Sequence, residues 1–183
     1  RIVRAKRTLA EARAPFELPP PAELSARLAS VLEVIYLIFN EGYAATAGDD
    51  WTRPALCEEA LRLGRILAGL ARAEPEVHGL VALMEVQASR LRARVGAAGE
   101  PVLLLDRDRS RWDRLLIRRG LDALALAEEL AQRGDGLGPY ALQAAIAACH
   151  ARASTADAPD WQRIAALSDA LAQRTASPVV ERK

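Results

Sequence analysis

The sequence predicts an all-α protein, and three observations support this fold class. Ala, Leu, Arg and Glu, which favour helices, dominate the composition. Runs of Val, Ile, Thr and Tyr, which would favour strands, are nearly absent. Apolar residues recur at spacings of three and four along most of the chain, which is the pattern of amphipathic helices. A chain of 183 residues is long enough for one domain with a substantial core.

The most hydrophobic stretch, Val31 to Tyr43, predicts a central helix. Eight of its first ten residues are apolar or aromatic, so most of its circumference requires cover. The same register continues upstream through Leu24 and Leu28, and we therefore expect one helix of about five turns beginning near Glu23. Gly42 is expected to close this helix in the left-handed conformation.

The N-terminus differs chemically from the rest of the chain. Residues 1–13 carry five cations and one carboxylate, although the net charge of the whole chain is only +1. They predict a short basic helix, which is either a solvated terminus or the last helix of a nucleic-acid-binding module whose cations contact phosphates. The candidate phosphate contacts are Arg1, Arg4, Lys6 and Arg7. Three consecutive prolines predict an extended linker over residues 14–22.

Residues 23–183 predict a helical domain made of successive hairpins. After the first helix, the hairpins cover about residues 53–96, 112–153 and 160 onward. Short turns between long helices make neighbours antiparallel. The irregular intervals between hairpins differ from the 34-residue TPR period, so we expect an irregular, TPR-like stack of antiparallel helical hairpins. One more helix is predicted at Ser177 and Pro178, and the last repeat is expected to be truncated.

The longest connection, Gly96 to Arg109, contains four consecutive apolar residues, Val102 to Leu105. They cannot all face water without a free-energy cost, so we expect the segment to cross the helices. Trp112 is expected to lie against the core. Asp106 or Asp108 is expected to cap the helix that follows.

Polar residues near the predicted helix ends form the candidate site. They are Asn40, Glu41, Tyr43, Asp106, Arg111, Trp112, Tyr140 and Gln143. Because buried polar groups need partners, these residues could form a hydrogen-bonded lock between helix ends, the interpretation we favour, or a ligand or interdomain recognition surface.

Catalysis is the least favoured interpretation of these residues. Glu41, Asp106 and Asp108 could act as acids or bases, but the sequence contains no Ser-His-Asp order, HExxH motif, phosphate loop or Cys/His metal spacing. We expect no enzyme activity, no metal and no cofactor. His78 and His150 are expected to be ordinary helix residues.

The two cysteines, Cys57 and Cys149, lie in predicted helices without a CxxC spacing. They predict reduced thiols in a cytoplasmic protein. No apolar run reaches the roughly 18 residues needed to span a bilayer, so no membrane association is expected.

Four segments, taken together and in this order, resemble one known family. They are Tyr36–Tyr43, Asp106–Trp112, Gly138–Ala147, and Asp160–Trp161 followed by Ser177–Glu181. The family is the C-terminal, TPR-like extension of extracytoplasmic-function (ECF) RNA polymerase sigma factors, and the likeness covers nearly the whole chain. Residues 1–13 resemble the end of the helix-turn-helix region 4 that precedes this extension. Two positions depart from the family pattern, since Arg107 replaces a common Gln and Ser168 a common aromatic residue.

The resemblance implies a regulatory, protein-interaction domain of a transcription initiation factor. Its partners would be the upstream sigma regions and core RNA polymerase, and promoter DNA would be bound only through regions that precede this chain. The alternative is a helical small-molecule sensor or enzyme that uses a polar pocket around Asn40–Glu41 and Asp106–Arg111. A deep apolar-walled pocket ringed by these residues and Tyr140 would favour the alternative.

Overall fold

The computed structural model describes residues 7–8, 11–12, 21–46, 51–96, 99–153, 155 and 158–175, and these residues form an all-helical fold. The α-helices within them are α1 (Pro21–Tyr43), α2 (Pro54–Leu70), α3 (Pro75–Ala88), α4 (Arg114–Ala131), α5 (Pro139–Arg152) and α6 (Trp161–Thr175). The described residues between α3 and α4 also form short 3-10 turns at Leu91–Ala93, Leu104–Asp106 and Arg109–Arg111. The predicted fold class is confirmed, and the TPR-like stacking stays a prediction. None of the described helices is long and apolar enough to cross a membrane.

The chain divides into two compact units, residues 1–31 and residues 32–183. In the first unit, the amide of Ala12 donates a hydrogen bond to the carbonyl of Thr8 at 2.9 Å. The candidate phosphate contacts Arg1, Arg4 and Lys6 lie outside the described residues, as do residues 13–20 and the helix predicted at Ser177 and Pro178. Arg7 is exposed and helical.

Helix α3 forms the centre of the second unit. Every residue from Val77 to Val86 is buried, and α2, α4 and α5 all pack against this helix. A helix that is apolar on all sides needs neighbours on all sides, and α3 has them. Its first residue is Pro75, which suits the first turn because that position has no intrahelical partner for an amide hydrogen.

Helix α1 is therefore not the central helix, contrary to the prediction. Leu32, Ile35 and Phe39 form a buried stripe along it. On another side of the same helix, Val34 and Leu37 are 55 % and 57 % exposed. The apolar run of α1 thus supplies one buried face and one exposed apolar face.

Two glycines allow helices to approach closely. A Cβ atom at Gly79 in α3 would lie 2.6 Å from the backbone nitrogen of Ala141 in α5. A Cβ atom at Gly42 in α1 would lie 2.7 Å from the backbone nitrogen of Cys57 in α2. Gly42 does not have the predicted left-handed conformation, which among the described glycines is found at Gly99 and Gly136. Its role is close packing.

The connection between α3 and α4 differs from the prediction in two respects. Leu103 and Leu105 are 74 % and 50 % exposed, so the apolar run is only partly covered. Helix α4 begins later than predicted and is capped by Asp113, whose Oδ1 accepts from the amides of Leu115 and Leu116 at 2.9 and 3.1 Å. The helix starts later because the backbone of Trp112 is extended. The side chain of Trp112 is buried, as predicted.

Candidate functional site

The eight predicted site residues do not form one pocket in the structure. Asn40, Tyr140 and Gln143 belong to one group, and Glu41 to a second group in the loop after α1. Tyr43 and Trp112 belong to a third group, which is rich in arginine. Arg111 lines a separate groove, and Asp106 is an exposed residue of a 3-10 turn.

The first group joins α1 to α5. The rings of Tyr36 and Tyr140 meet edge to face, with centroids 5.3 Å apart. The hydroxyl of Tyr36 donates to Oε1 of Gln143 at 3.3 Å, and Nε2 of Gln143 donates to the carbonyl of Pro139 at 3.2 Å. Burial raises the pKa of Tyr36, and its hydrogen bond with Asn40 opposes this shift. These contacts join α1 to α5, and the interpretation of this group as a structural lock stays a prediction.

Glu41 holds the loop that follows α1. Its Oε2 accepts from the hydroxyl of Thr46 at 2.7 Å, and its Oε1 lies 2.9 Å from a guanidinium nitrogen of Arg53. The hydrogen bonds from Thr46 are the main cause of the lowered pKa of Glu41, and Arg53 contributes. Glu41 is therefore an ionised carboxylate at neutral pH, which argues against a role as a catalytic acid.

The third group consists of four arginines around two aromatic rings. We name it the arginine cluster, and its members are Arg90, Arg94, Arg107, Arg109, Tyr43 and Trp112. The Cζ atoms of Arg90 and Arg109 lie 4.9 and 4.2 Å from the ring centroid of Trp112. Cζ of Arg94 lies 3.9 Å from the ring centroid of Tyr43. At all three distances cation–π attraction is significant.

The hydrogen bonds of the cluster go to neutral acceptors. Arg107 donates to the hydroxyl of Tyr43 at 3.1 Å and to the carbonyl of Val102 at 3.1 Å. Arg90 donates to the carbonyl of Ala147 at 2.7 Å. Arg109 donates to the carbonyls of His150 and Ala153. These last three carbonyls lie at the C-terminal end of α5, where the helix dipole favours a cation.

Within the described part of the chain, no carboxylate is paired with the positive charge of the cluster. Among the described residues, none of its four arginines has a carboxylate oxygen within 4.0 Å. Burial is the main cause that lowers the pKa of Arg90 to about 10; the charges of Arg107 and Arg109 contribute, whereas Tyr43 opposes the shift. Three buried N–H donors of the cluster have no hydrogen-bond partner among the described residues. They are Nε of Arg90, Nε of Arg94 and Nε1 of Trp112.

A groove of about 560 Å³ lies elsewhere, between the start of α2, the 3-10 turn Leu91–Ala93 and the start of α4. Its apolar lining includes Cys57, Leu61 and Leu116, and its charged lining residues are Glu58, Arg92, Arg111 and Asp113. The volume falls within the range of small-molecule sites. Burial raises the pKa of the Cys57 thiol to about 11, so this thiol is protonated and unreactive at neutral pH.

The two histidines and the two cysteines have surroundings that indicate a structural role. Nε2 of His78 lies 2.9 Å from the carbonyl of Arg72, and burial together with Arg90 and Arg109 lowers the pKa of His150. Cys57 and Cys149 are free and buried. In the described part of the chain, no group of three or more His, Cys, Asp or Glu side chains could hold a metal ion.

Sequence reasoning missed most of the arginine cluster. No sequence pattern singled out Arg90, Arg94 or Arg109 as a site residue, and Arg107 stood out only as a departure from the family pattern. A signal was present, because Arg107 and Arg109 alternate with carboxylates directly before Trp112. An arginine two or three residues from a buried tryptophan can reach its ring.

Comparisons with known proteins identify a family without a described activity. Over 180 residues the chain is 48 % identical to an uncharacterized protein of Rhizobium meliloti (strain 1021). The alignment covers 98 % of the chain and 42 % of that protein. The chain therefore spans less than half the length of this relative. No solved structure matches the chain. Residues 27–128 match the family described as a family of unknown function (DUF6596). Because this match covers more than half of the chain, the protein belongs to the DUF6596 family.

Proposed function

We propose that this chain is a regulatory, protein-interaction domain of an ECF-type sigma factor. In this proposal it modulates how the preceding sigma regions bind core RNA polymerase or promoter DNA. The starting point is the resemblance of the four segments described above. The relative from Rhizobium meliloti is more than twice as long as the matched part, so it has room for such regions.

The observation that supports an interaction domain most directly is the exposed apolar face of α1. Val34 and Leu37 are three residues apart and more than half exposed, so they lie on the same side of the helix. Phe39, on the buried side, is completely inaccessible and anchors the helix in the core. Exposed apolar side chains on a rigid helix favour a protein partner. We assign this face to contact with the preceding sigma regions.

The internal use of the polar residues supports binding over catalysis. Tyr36 and Gln143 contact each other between α1 and α5, Trp112 packs in the core with residues of α3, α4 and α5, and Glu41 holds a loop. The hydroxyls of Thr46 and Ser110 donate to the carboxylates of Glu41 and Asp108 at exposed positions, where they hold local turns. A lock of this kind presents a fixed surface to a partner.

The test uses the full-length product of the gene that contains this chain, reconstituted with core RNA polymerase. Run-off transcription is compared for the wild type and the double variant Val34→Asp, Leu37→Asp. We expect the double variant to change transcript yield at least about tenfold, equivalent to about 1.4 kcal/mol, while the circular dichroism spectrum is retained. The matched control is Leu70→Asp, at an 80 % exposed apolar position of α2, which should leave yield unchanged. Equal transcript yields from both variants and the wild type would contradict the assignment of this face to a partner contact.

The groove supports a second candidate function, a small-molecule sensor. It has the volume of a ligand site, an apolar lining, and the guanidinium groups of Arg92 and Arg111. A thermal-shift screen of metabolites against the wild type and Leu116→Trp, which fills the groove, tests this alternative. Compounds that stabilise only the wild type would support a sensor.

A further inference from the structure

We propose that the arginine cluster is a binding site for a small oxyanion, either a phosphate group or a carboxylate group. This inference does not depend on the proposed role in transcription. It rests on the charge of the cluster, on its unpaired donors and on its access to solvent.

The first step concerns charge. Four guanidinium groups gather around Tyr43 and Trp112, and Arg90 is only 3 % exposed. The negative end of α5, which receives two of these arginines, supplies the equivalent of about half an elementary charge. Half a charge cannot balance four cations. Elsewhere in the same fold a buried carboxylate, Glu85, is paired with Arg65 at 2.7 Å, as is usual for buried charges.

The second step concerns hydrogen bonds. Buried N–H groups are almost always paired, because an unpaired donor costs about 1–3 kcal/mol. Two guanidinium groups of the cluster, those of Arg90 and Arg94, each hold a buried Nε with no partner among the described residues. An oxyanion has several lone pairs on closely spaced oxygens, and it would satisfy such donors and the charge together.

The third step concerns access and geometry. Arg94, Arg107, Arg109 and Tyr43 are half-buried, so the cluster reaches the protein surface on their side. Guanidinium groups present a planar fork of donors that fits the oxygens of a phosphate or a carboxylate. Arg107 is half-buried, and the cation–π contacts of the cluster are made by the other three arginines, so replacing Arg107 leaves those contacts in place.

The test measures thermal unfolding of the protein at pH 7 in 10 mM sodium phosphate, 10 mM sodium acetate or sodium chloride of equal ionic strength. We expect phosphate or acetate to raise the unfolding midpoint of the wild type by roughly 2–4 °C over chloride, and the effective anion identifies the ligand group. Arg107→Gln should lose this shift. The matched control is Arg118→Gln, at an exposed position of α4, which should retain it.

The readout is the difference in unfolding midpoint between salts, taken separately for each variant. A general loss of stability in Arg107→Gln therefore does not affect it. General salting effects are also common to all variants. Isothermal titration of the wild type with sodium phosphate and with sodium acetate provides a second measurement. The proposal is overturned if neither anion exceeds chloride in the wild type and neither titration gives saturable heat. It is also overturned if Arg107→Gln keeps the full shift.

Discussion

The guanidinium group of Arg109 lies over the indole ring of Trp112, with its Cζ 4.2 Å from the ring centroid. The same guanidinium donates hydrogen bonds to the carbonyl of His150, within the last turn of α5, and to the carbonyl of Ala153, directly after that helix. Trp112 in turn belongs to the core cluster formed with α3, α4 and α5. One arginine and one tryptophan therefore fasten the long connection between α3 and α4 to the body of the fold.

Trp112→Ala should strongly destabilise the protein. The substitution removes a buried ring from the core and its contact with two guanidinium groups, so we expect the free energy of unfolding to fall by about 3–5 kcal/mol. Urea denaturation at pH 7 measures this change. Trp51→Ala, at an exposed tryptophan, is the matched control and should change the free energy by less than about 0.5 kcal/mol. Similar losses in both variants would show that Trp112 does not anchor the core.

Gly79→Ala should destabilise the packing of α3 against α5. The new Cβ would lie 2.6 Å from the amide nitrogen of Ala141, which forces the helices apart and costs about 1–3 kcal/mol. Gly69→Ala is the control, because no atom lies within 4 Å of its added Cβ. In a helix this control should be neutral or stabilising by up to about 1 kcal/mol. Chemical denaturation measures the free energy of unfolding of both variants. We expect Gly79→Ala to lower it and Gly69→Ala to leave it unchanged or raise it.

Glu76→Ala should weaken the start of α5. The carboxylate of Glu76 accepts from the amides of Tyr140 and Ala141 at 2.9 and 3.1 Å, and it thus caps a helix other than its own. We expect a loss of about 1–2 kcal/mol and faster hydrogen exchange at these two amides. Glu74→Ala, at an exposed position without a side-chain cap, is the control. Unchanged exchange at Tyr140 and Ala141 in Glu76→Ala would contradict the capping role.

The contribution of Glu85 to stability should increase as pH falls. Burial raises its pKa above the ordinary value of 4.5, although Arg65 opposes the shift. The folded state therefore holds this proton more tightly than the unfolded chain, and stability from this group is lost as pH rises through the folded pKa. The difference in unfolding free energy between the wild type and Glu85→Gln should be larger at pH 5 than at pH 7.5.

A control with the opposite shift is available for this pH experiment. Hydrogen bonding to Arg62 lowers the pKa of Glu59, an exposed residue of α2. Glu59→Gln should therefore show no such increase between pH 7.5 and pH 5. A wild-type advantage over Glu85→Gln that shrinks on acidification would refute the assignment for Glu85.

The fold class and most helix starts follow from local patterns. Proline at the first helical position marks α2, α3 and α5, and Asp160 accepts from the amide of Arg163 at the start of α6. The identity of the central helix could not be predicted from apolar circumference alone, because the apolar run of α1 leaves Val34 and Leu37 exposed. In α3, Val77, Leu80 and Met84 are accompanied by buried residues on the remaining sides, because α2, α4 and α5 all pack against this helix.

The arrangement of the polar residues depends on tertiary packing. Arg90 and Arg109 are far apart in sequence, and they meet only because Trp112 turns into the core before α4 begins. Local periodicity contains no information about such a meeting. For the same reason the predicted set around Asn40 and Asp106 is divided among separate groups, since it was assembled from helix ends without knowledge of which ends are neighbours.

Binding of the full-length gene product to core RNA polymerase tests the proposed function most directly. The measurement is size-exclusion chromatography of the purified protein with core enzyme, followed by run-off transcription from the fractions that contain both. We predict co-elution and promoter-dependent transcripts, whose yield changes with Val34→Asp, Leu37→Asp. A folded full-length protein that neither co-elutes with core polymerase nor supports transcription would contradict the assignment to the sigma factors.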